Sequence, residues 1–327
     1  MTKFYYFCGH EQFQPEILVR HAKLAQDAGF DGVLVSEHFH PWVDDHSASG
    51  FAFSTMAAMA QATSTLEIMT GVTTPLWRFH PGVVAQAAAT IDRLSCGRFT
   101  LGVGTGENIN EGSLGYHFPK YKERAARMGE ALEIMRRLLD GEKLTYEGEY
   151  YQTDRAKLYS PPIARVPIFM AAGGPKSAAL AAEKADGIVA SVKVPADTIE
   201  KVLTPAGRDA KNPKSDQTGL LTSRWSVFAK DSDEAWDVLK SWRGLRAPGR
   251  LQAVDPAELR EAADALPREE VLGRYSVVFS VEELIEAYTP LVTELNTDIV
   301  AIQITSSDQE KTIKMLGDEV LPALKTL

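Results

Sequence analysis

Directly after the strand-like run Val33-Leu34-Val35, the chain carries Ser36-Glu37-His38-Phe39-His40-Pro41-Trp42, which gathers a carboxylate, two imidazoles and an indole in one short stretch. Carboxylate and imidazole side chains move protons near neutral pH, and an indole offers a flat wall for a ring. A buried core has no use for that set. In an alternating β/α protein, residues just past a strand's carboxyl end stand at the mouth of the sheet or barrel, where ligands bind. The stretch therefore reads as an active-site loop, against the plainer reading of a surface turn with a packed Trp42 and solvated histidines.

Three further stretches have the same placement. Gly102-Val103-Gly104-Thr105-Gly106-Glu107-Asn108-Ile109-Asn110-Glu111 follows another strand-like run, and its glycines allow backbone amides to approach a ligand, with Glu107 at the start of the loop. Its glycine pattern does not complete the dinucleotide fingerprint, which argues against a nicotinamide coenzyme. Ala171-Ala172-Gly173-Gly174-Pro175-Lys176-Ser177 puts two glycines ahead of a helix opened by Pro175, so free amides, Lys176 and the Ser177 hydroxyl make a candidate phosphate seat. An ordinary proline-led helix entry is the alternative. Thr70-Gly71-Val72-Thr73-Thr74-Pro75 adds small and hydroxylated residues suited to the border of a flat ring.

The elements that must position these loops alternate along the whole chain. Strand-like runs fall at Lys3–Cys8, Val33–Val35, Leu66–Thr70, Phe99–Val103, Val166–Ala171, Gly187–Ser191, Leu220–Ala229 and Asp298–Ile304. Helical segments fall at Pro15–Ala28, Thr55–Thr63 and Gly82–Leu94. A further helix from Tyr121 repeats Ala125, Met128, Leu132, Met135 and Leu139 at three- and four-residue spacing before Gly141 stops it. Eight such strands predict a (β/α)₈ TIM barrel, with length beyond the typical ~250 residues left for insertions. An open doubly wound sheet is the rival, but it concentrates ligand residues at one switch point, and here they follow strands throughout. A hairpin around Glu147-Gly148 is expected near 143–160, and a second insertion near 242–275, where Arg243, Arg246, Arg250, Arg260, Arg268 and Arg274 break the repeat. Both belong to one domain spanning 1–327.

With 327 residues, 44% of them hydrophobic, the chain can bury a substantial core. A net charge of −9 repels nucleic acid and anionic membranes, and a small molecule is the expected partner. Cys8 and Cys96 alone build neither a disulfide framework nor a cysteine-rich metal site, and no metal is expected. No run is long and apolar enough to span a bilayer, and the N-terminus lacks a secretory pattern, so a cytoplasmic protein is expected.

The motifs SEHFHPW at 36–42, TGVTTP at 70–75, GVGTGENINE at 102–111, AAGGP at 171–175 and AADALP at 262–267 together resemble the luciferase-like flavin and deazaflavin oxidoreductases. The similarity is strongest to the branch that contains the coenzyme F420-dependent glucose-6-phosphate dehydrogenases. It implies a luciferase-like barrel with the deazaflavin ring at its mouth and the coenzyme phosphate near Gly173, Gly174, Lys176 and Ser177. Further coenzyme contacts are implied at Glu37, Thr74, Thr105, Gly106 and Asn110. The Gly71–Val72 bond falls where the family carries a non-proline cis peptide that shapes the back wall of the ring.

His38, Trp42 and Glu107 match the family's catalytic positions. Oxidising a sugar at its anomeric carbon takes a base, a hydride acceptor and an acid. The expectation is Glu107 as base, His38 as acid and Trp42 as a positioning wall, with the two proton roles exchangeable. Lys193, Arg250 and Arg274 match the family's sugar-phosphate site, with Arg250 standing where lysine is usual. Ala190 stands at the place of a substrate-holding hydroxyl residue, and Glu37 at the place of an aspartate. His40 and Trp77 sit near the expected mouth with no assigned role.

The expected activity is hydride transfer from a sugar 6-phosphate, glucose 6-phosphate foremost, to the deazaflavin carbon C5. The rivals are an unphosphorylated alcohol or the reductive direction, an FMN-dependent monooxygenase, and a non-catalytic binding barrel. Family members are usually homodimers, which the resemblance extends to this chain.

Overall fold

The computed structural model describes residues 2–210 and 218–327. Its strands are β1 (Lys3–Cys8), β2 (Gly32–Val35), β3 (Glu67–Thr70), β4 (Phe99–Val103), β5 (Leu144–Glu147), β6 (Gln152–Ala156), β7 (Ile168–Ala171), β8 (Gly187–Ser191), β9 (Gly219–Phe228), β10 (Ser276–Val278) and β11 (Ile299–Thr305). The parallel ladder β1-β2-β3-β4-β7-β8-β9-β11 returns to β1, which closes an eight-stranded barrel. Strands β2 and β11 are buried throughout, as expected of parallel strands packed on both faces.

Alternation along each strand divides two cores. In β1, Phe4, Tyr6 and Cys8 face the helices, while Tyr5 and Phe7 join Leu34, Met69, Phe169, Leu221, Trp225 and Ala301 inside the barrel. The helices that cover the first half are α1 (Pro15–Asp27), α2 (Ala52–Ala62), α3 (Pro81–Leu94), the single turn α4 (Asn108–Glu111), α5 (Tyr121–Leu139) and α6 (Pro175–Lys184). Proline at the first position starts α1, α3 and α6, where its missing amide hydrogen costs nothing. The expected hairpin is the antiparallel pair β5–β6, and its turn is held by Glu130, whose carboxylate accepts from the amides of Glu149, Tyr150 and Tyr151.

One strand escaped the sequence reading. β10 pairs in parallel with Ser226–Phe228, beyond the stretch of β9 that β8 covers. Three residues are too short to show a period of two, so only pairing reveals it.

The 242–275 insertion holds a turn at Arg243–Arg246 and helices at Pro256–Asp264 and Arg268–Leu272. Its arginines act mostly as staples. Arg243 is buried between Asp45 at 2.9 Å and Asp264 at 2.7 Å, and Arg260 meets Asp44 at 2.6 Å, which ties the insertion to the loop after β2. Arg268 pairs with Asp233 at 2.9 Å.

Candidate active site

A cavity of about 1220 Å³ opens among the loops after β1, β2, β3, β4 and β7 and the 242–275 insertion. His38 and Trp42 meet there edge to face, with ring centroids 4.6 Å apart. The ring nitrogens of His38 have acceptors on both sides: Nδ1 lies 3.1 Å from the His40 carbonyl, and Nε2 lies 3.6 Å from Oε1 of Glu11. Asn110 fixes the loop, its Oδ1 accepting from the amides of Phe39 at 2.9 Å and His40 at 3.2 Å while its Nδ2 sits 3.2 Å from Nδ1 of His38. His40 turns outward, stacked on Phe39 and 3.2 Å from the Val254 carbonyl, and so ties this loop to the insertion. Trp77 packs in the helix layer against Phe118.

Across the cavity, Glu107 receives Nη1 of Arg250 at 2.6 Å on one carboxylate oxygen, and its other oxygen is buried without a hydrogen bond. The same guanidinium sits 5.4 Å from the Trp42 ring centroid, so one arginine links two of the expected catalytic residues. Of the three expected phosphate-binding cations, only Arg250 lines the cavity. Arg274 is held by Glu270 at 2.8 Å and by the Arg246 carbonyl, and Lys193 is exposed past the end of β8. Arg246 lines the cavity instead, half-buried against the Tyr275 ring. Burial lowers its pKa, and the neighbouring Arg250 adds to that.

The opposite wall contains all of the expected coenzyme positions. Glu37, Gly71, Val72, Thr74, Thr105, Gly106, Asn110, Gly173, Gly174, Lys176 and Ser177 all line the cavity, and the Gly71–Val72 bond is cis. Two glycines have a different reason from the expected one. A Cβ on Gly102 would lie 2.0 Å from the Thr70 carbonyl oxygen and one on Gly104 would lie 2.7 Å from Val72, so both are demanded by β3 and its loop rather than by a ligand. Gly106, at φ +80°, does need glycine's left-handed freedom. Ser177 also departs from the reading of a free hydroxyl donor: it donates to the Gly174 carbonyl at 2.9 Å and accepts from the Gly174 amide, which closes the first turn of α6. Space around a Cβ at Gly173 or Gly174 is open, and Lys176 forms no ion pair among the described residues, so an anion meets an unobstructed seat there.

Beneath this wall lies a buried charge cluster. Arg78 grips Glu37 with two hydrogen bonds, at 2.7 and 3.0 Å, and Thr73 donates to the same carboxylate at 3.0 Å. Glu111 is fully buried 3.9 Å from Arg78, and burial pushes its carboxyl up to about 7 against the pull of that guanidinium.

The strand register moves one expected position. Ala190 faces the helix-side core, while its neighbours Val189 and Ser191 face inward, so Ser191 supplies the hydroxyl at the cavity. Ser191 stands opposite Ser223 across β8 and β9, and Gln303 opposite Trp225 across β9 and β11. Glu11, Arg78, Tyr121, Ser223, Gln303 and Trp242 belong to the site or its support, yet sequence gave them no role. Period-two alternation in β9, Leu221-Ser223-Trp225, is the signal that finds one of them, Ser223; Glu11 and Arg78 carry none. No group of three or more metal-ligating side chains forms among the described residues.

Residues 2–288 match the model of the luciferase-like monooxygenase family. The chain is 34% identical to the F420-dependent glucose-6-phosphate dehydrogenase of Nakamurella multipartita over 99% of its own length and 97% of the relative's. It is 36% identical, with the same coverages, to the enzyme of the same name from Microbacterium testaceum. Among solved structures, an F420-dependent secondary alcohol dehydrogenase in complex with an F420-acetone adduct superposes with a TM-score of 0.88 at 29% identity, covering 99% of both chains.

Proposed function

This chain belongs to the luciferase-like monooxygenase family, and from that premise we propose that it is a coenzyme F420-dependent dehydrogenase that oxidises a sugar 6-phosphate, glucose 6-phosphate first, at the anomeric carbon. The observation that carries the reading is one cavity in which His38, Trp42 and Glu107 face a cationic wall of Arg246 and Arg250 and adjoin the seat formed by Gly173, Gly174 and Lys176. The names of the relatives support coenzyme and substrate alike.

The residues present fit the coenzyme. Open space at Gly173 and Gly174 and the ammonium of Lys176, without an ion pair among the described residues, suit its phosphate, while Val72, Thr74 and Gly106 line the cavity beside it. When bound, coenzyme F420 supplies the hydride acceptor. Glu107, which lines the cavity beside Arg250, takes the hydroxyl proton. His38, with the Glu11 carboxylate beside Nε2 and the His40 carbonyl and Asn110 amide beside Nδ1, would pass a proton to the bound coenzyme, with Glu11 steadying the charge. Trp42 packs edge-on against His38 and walls the substrate. Arg250 and Arg246 draw the phosphate to the insertion side, and arginine at 250 grips it through two parallel hydrogen bonds.

The same reading takes residues 1–327 as one domain with two insertions. It places the protein in the cytoplasm, in keeping with two unpaired cysteines. It also makes the protein a homodimer, for which the apolar groove of about 380 Å³ between α2 and α3, bordered by the exposed Phe51 and Val83, offers a contact face.

The test is anaerobic mixing of the protein with oxidised F420 and glucose 6-phosphate, with glucose and isopropanol as controls. Loss of the deazaflavin absorbance with the phosphate ester alone is the expected outcome. Bleaching by isopropanol alone would reassign the substrate to an unphosphorylated alcohol, an outcome with which the outlying positions of Lys193 and Arg274 would agree.

A further inference from the structure

Inside the barrel, below the catalytic residues, Gln303 is 8% exposed, lines the cavity, and has an amide oxygen buried without a hydrogen bond. Burying an amide oxygen in this way costs free energy, and such a group is retained in a cavity wall where a ligand satisfies it. Its surroundings are selective. Two residues back along β11, Ala301 is paired with Ser223, and Ser223 is paired with Ser191, so two hydroxyls stand on adjacent strands beside the amide. Trp225 is paired with Gln303 and packs against Trp242 with ring centroids 4.2 Å apart, which gives the compartment an aromatic side. Gln303, Ser191, Ser223, Trp225 and Trp242 all line the cavity.

We propose that Gln303, with Ser191 and Ser223, forms a subsite for the ring hydroxyls of a polyhydroxylated substrate, and that this subsite, separate from the cationic wall, is what selects a sugar over a simple alcohol. The inference rests on the dehydrogenase reading but deepens it. Turning the amide about its last bond brings its unmet oxygen to the cavity face, where it accepts from a substrate hydroxyl, while the serine hydroxyls rotate to donate or accept. The tryptophans pack against the apolar face of the ring. A site built around an unmet acceptor rejects an analogue that lacks the matching hydroxyl far more strongly than an apolar pocket rejects an extra one.

The experiment compares wild type with Gln303→Leu and Gln303→Met, all loaded with F420, on glucose 6-phosphate, glucose, the 2-, 3- and 4-deoxy analogues of each, and isopropanol. Turnover and calorimetric binding are both measured, and the coenzyme Kd and melting temperature report the fold. The expected result is a fall in kcat/KM of about 10- to 100-fold on glucose 6-phosphate, carried mainly by KM, with coenzyme binding unchanged. One deoxy analogue should lose about as much in wild type and lose nothing further in either variant, because the missing hydroxyl and the missing amide are the same interaction. Equal penalties for every deoxy analogue in wild type and variants would overturn the inference and leave the sugar-phosphate reading standing. If wild type ignores phosphate esters but shows the same coupling with glucose, the sugar-phosphate reading falls and the subsite stands. Failure of the loaded wild type to bind any polyol would remove both.

Discussion

Glu107 and Arg250 show how a single contact ties recognition to chemistry. Under the proposed function, the guanidinium that draws the phosphate also holds, at 2.6 Å, the carboxylate assigned as base. Replacing Glu107 with Gln keeps the shape and removes the base, so turnover should slow by roughly 10² or more while the coenzyme Kd stays near that of wild type. Full turnover in that variant would take the role from Glu107. Glu111, four residues on, makes a prediction of another kind. Its folded-state pKa is raised from the ordinary 4.5 to about 7 by burial. The unfolded chain therefore releases that proton first, and stability is lost as pH rises from about 4.5 through 7. Glu111→Gln should match wild type near pH 4 and gain about 2–3 kcal/mol relative to it between pH 5 and pH 8, read from urea unfolding curves. An unchanged difference across that range would mean that the carboxyl is ionised throughout. The motifs made Glu37, His38, Trp42 and Glu107 legible because each sits in a short run of unusual composition. The partners Glu11 and Arg78 were not legible, since a lone carboxylate after β1 and a lone arginine before α3 look like any surface charge until the fold closes around them.

Among the elements, the 242–275 insertion and α1 show opposite uses of polar side chains. The insertion depends on Arg243, nearly buried and shared between Asp45 and Asp264. Arg243→Met should cost about 1–3 kcal/mol, because both carboxylates are half-exposed and regain water. It should also raise KM for the phosphate ester, since Arg246 and Arg250 hang from the same segment; an unchanged KM would show that the segment holds its shape without the staple. Helix α1 instead buries His21 between the edges of Tyr6 and Phe13, where burial lowers its pKa from 6.5 to about 4. Here the unfolded chain binds the proton first, so stability is lost as pH falls from 6.5 through 4. His21→Phe should remove that loss, narrowing the drop between pH 7.5 and pH 4.5 by about 2–3 kcal/mol. The long elements were readable from periodicity, as α5 illustrates. β10 and the inward register of Ser191 were not, because the first is three residues long and a frame error of one residue exchanges the two faces of a strand.

At the scale of the molecule, the groove between α2 and α3 leaves Phe51 and Val83 half-exposed beside Phe53 and Phe79. Under the homodimer reading, Val83→Lys places a charge in that contact and should yield a monomer by light scattering, with coenzyme binding retained because the groove lies apart from the cavity. A dimer that survives the change would move the interface elsewhere. The barrel itself was expected from eight strand-like runs, and its closure through β8–β9 and β11–β1 follows from their order.

The division of the barrel wall has a consequence for descent. The expected coenzyme positions follow β2, β3, β4 and β7, whereas Ser191, Ser223 and Gln303 lie on β8, β9 and β11, and Arg246 and Arg250 hang from the insertion. Under the proposed function, substitutions on the second arc can retune the alcohol without touching the loops expected to hold the coenzyme. A lineage built on this plan can change its diet many times while inheriting the same redox partner, and the reverse exchange would require rewriting four consecutive loops at once.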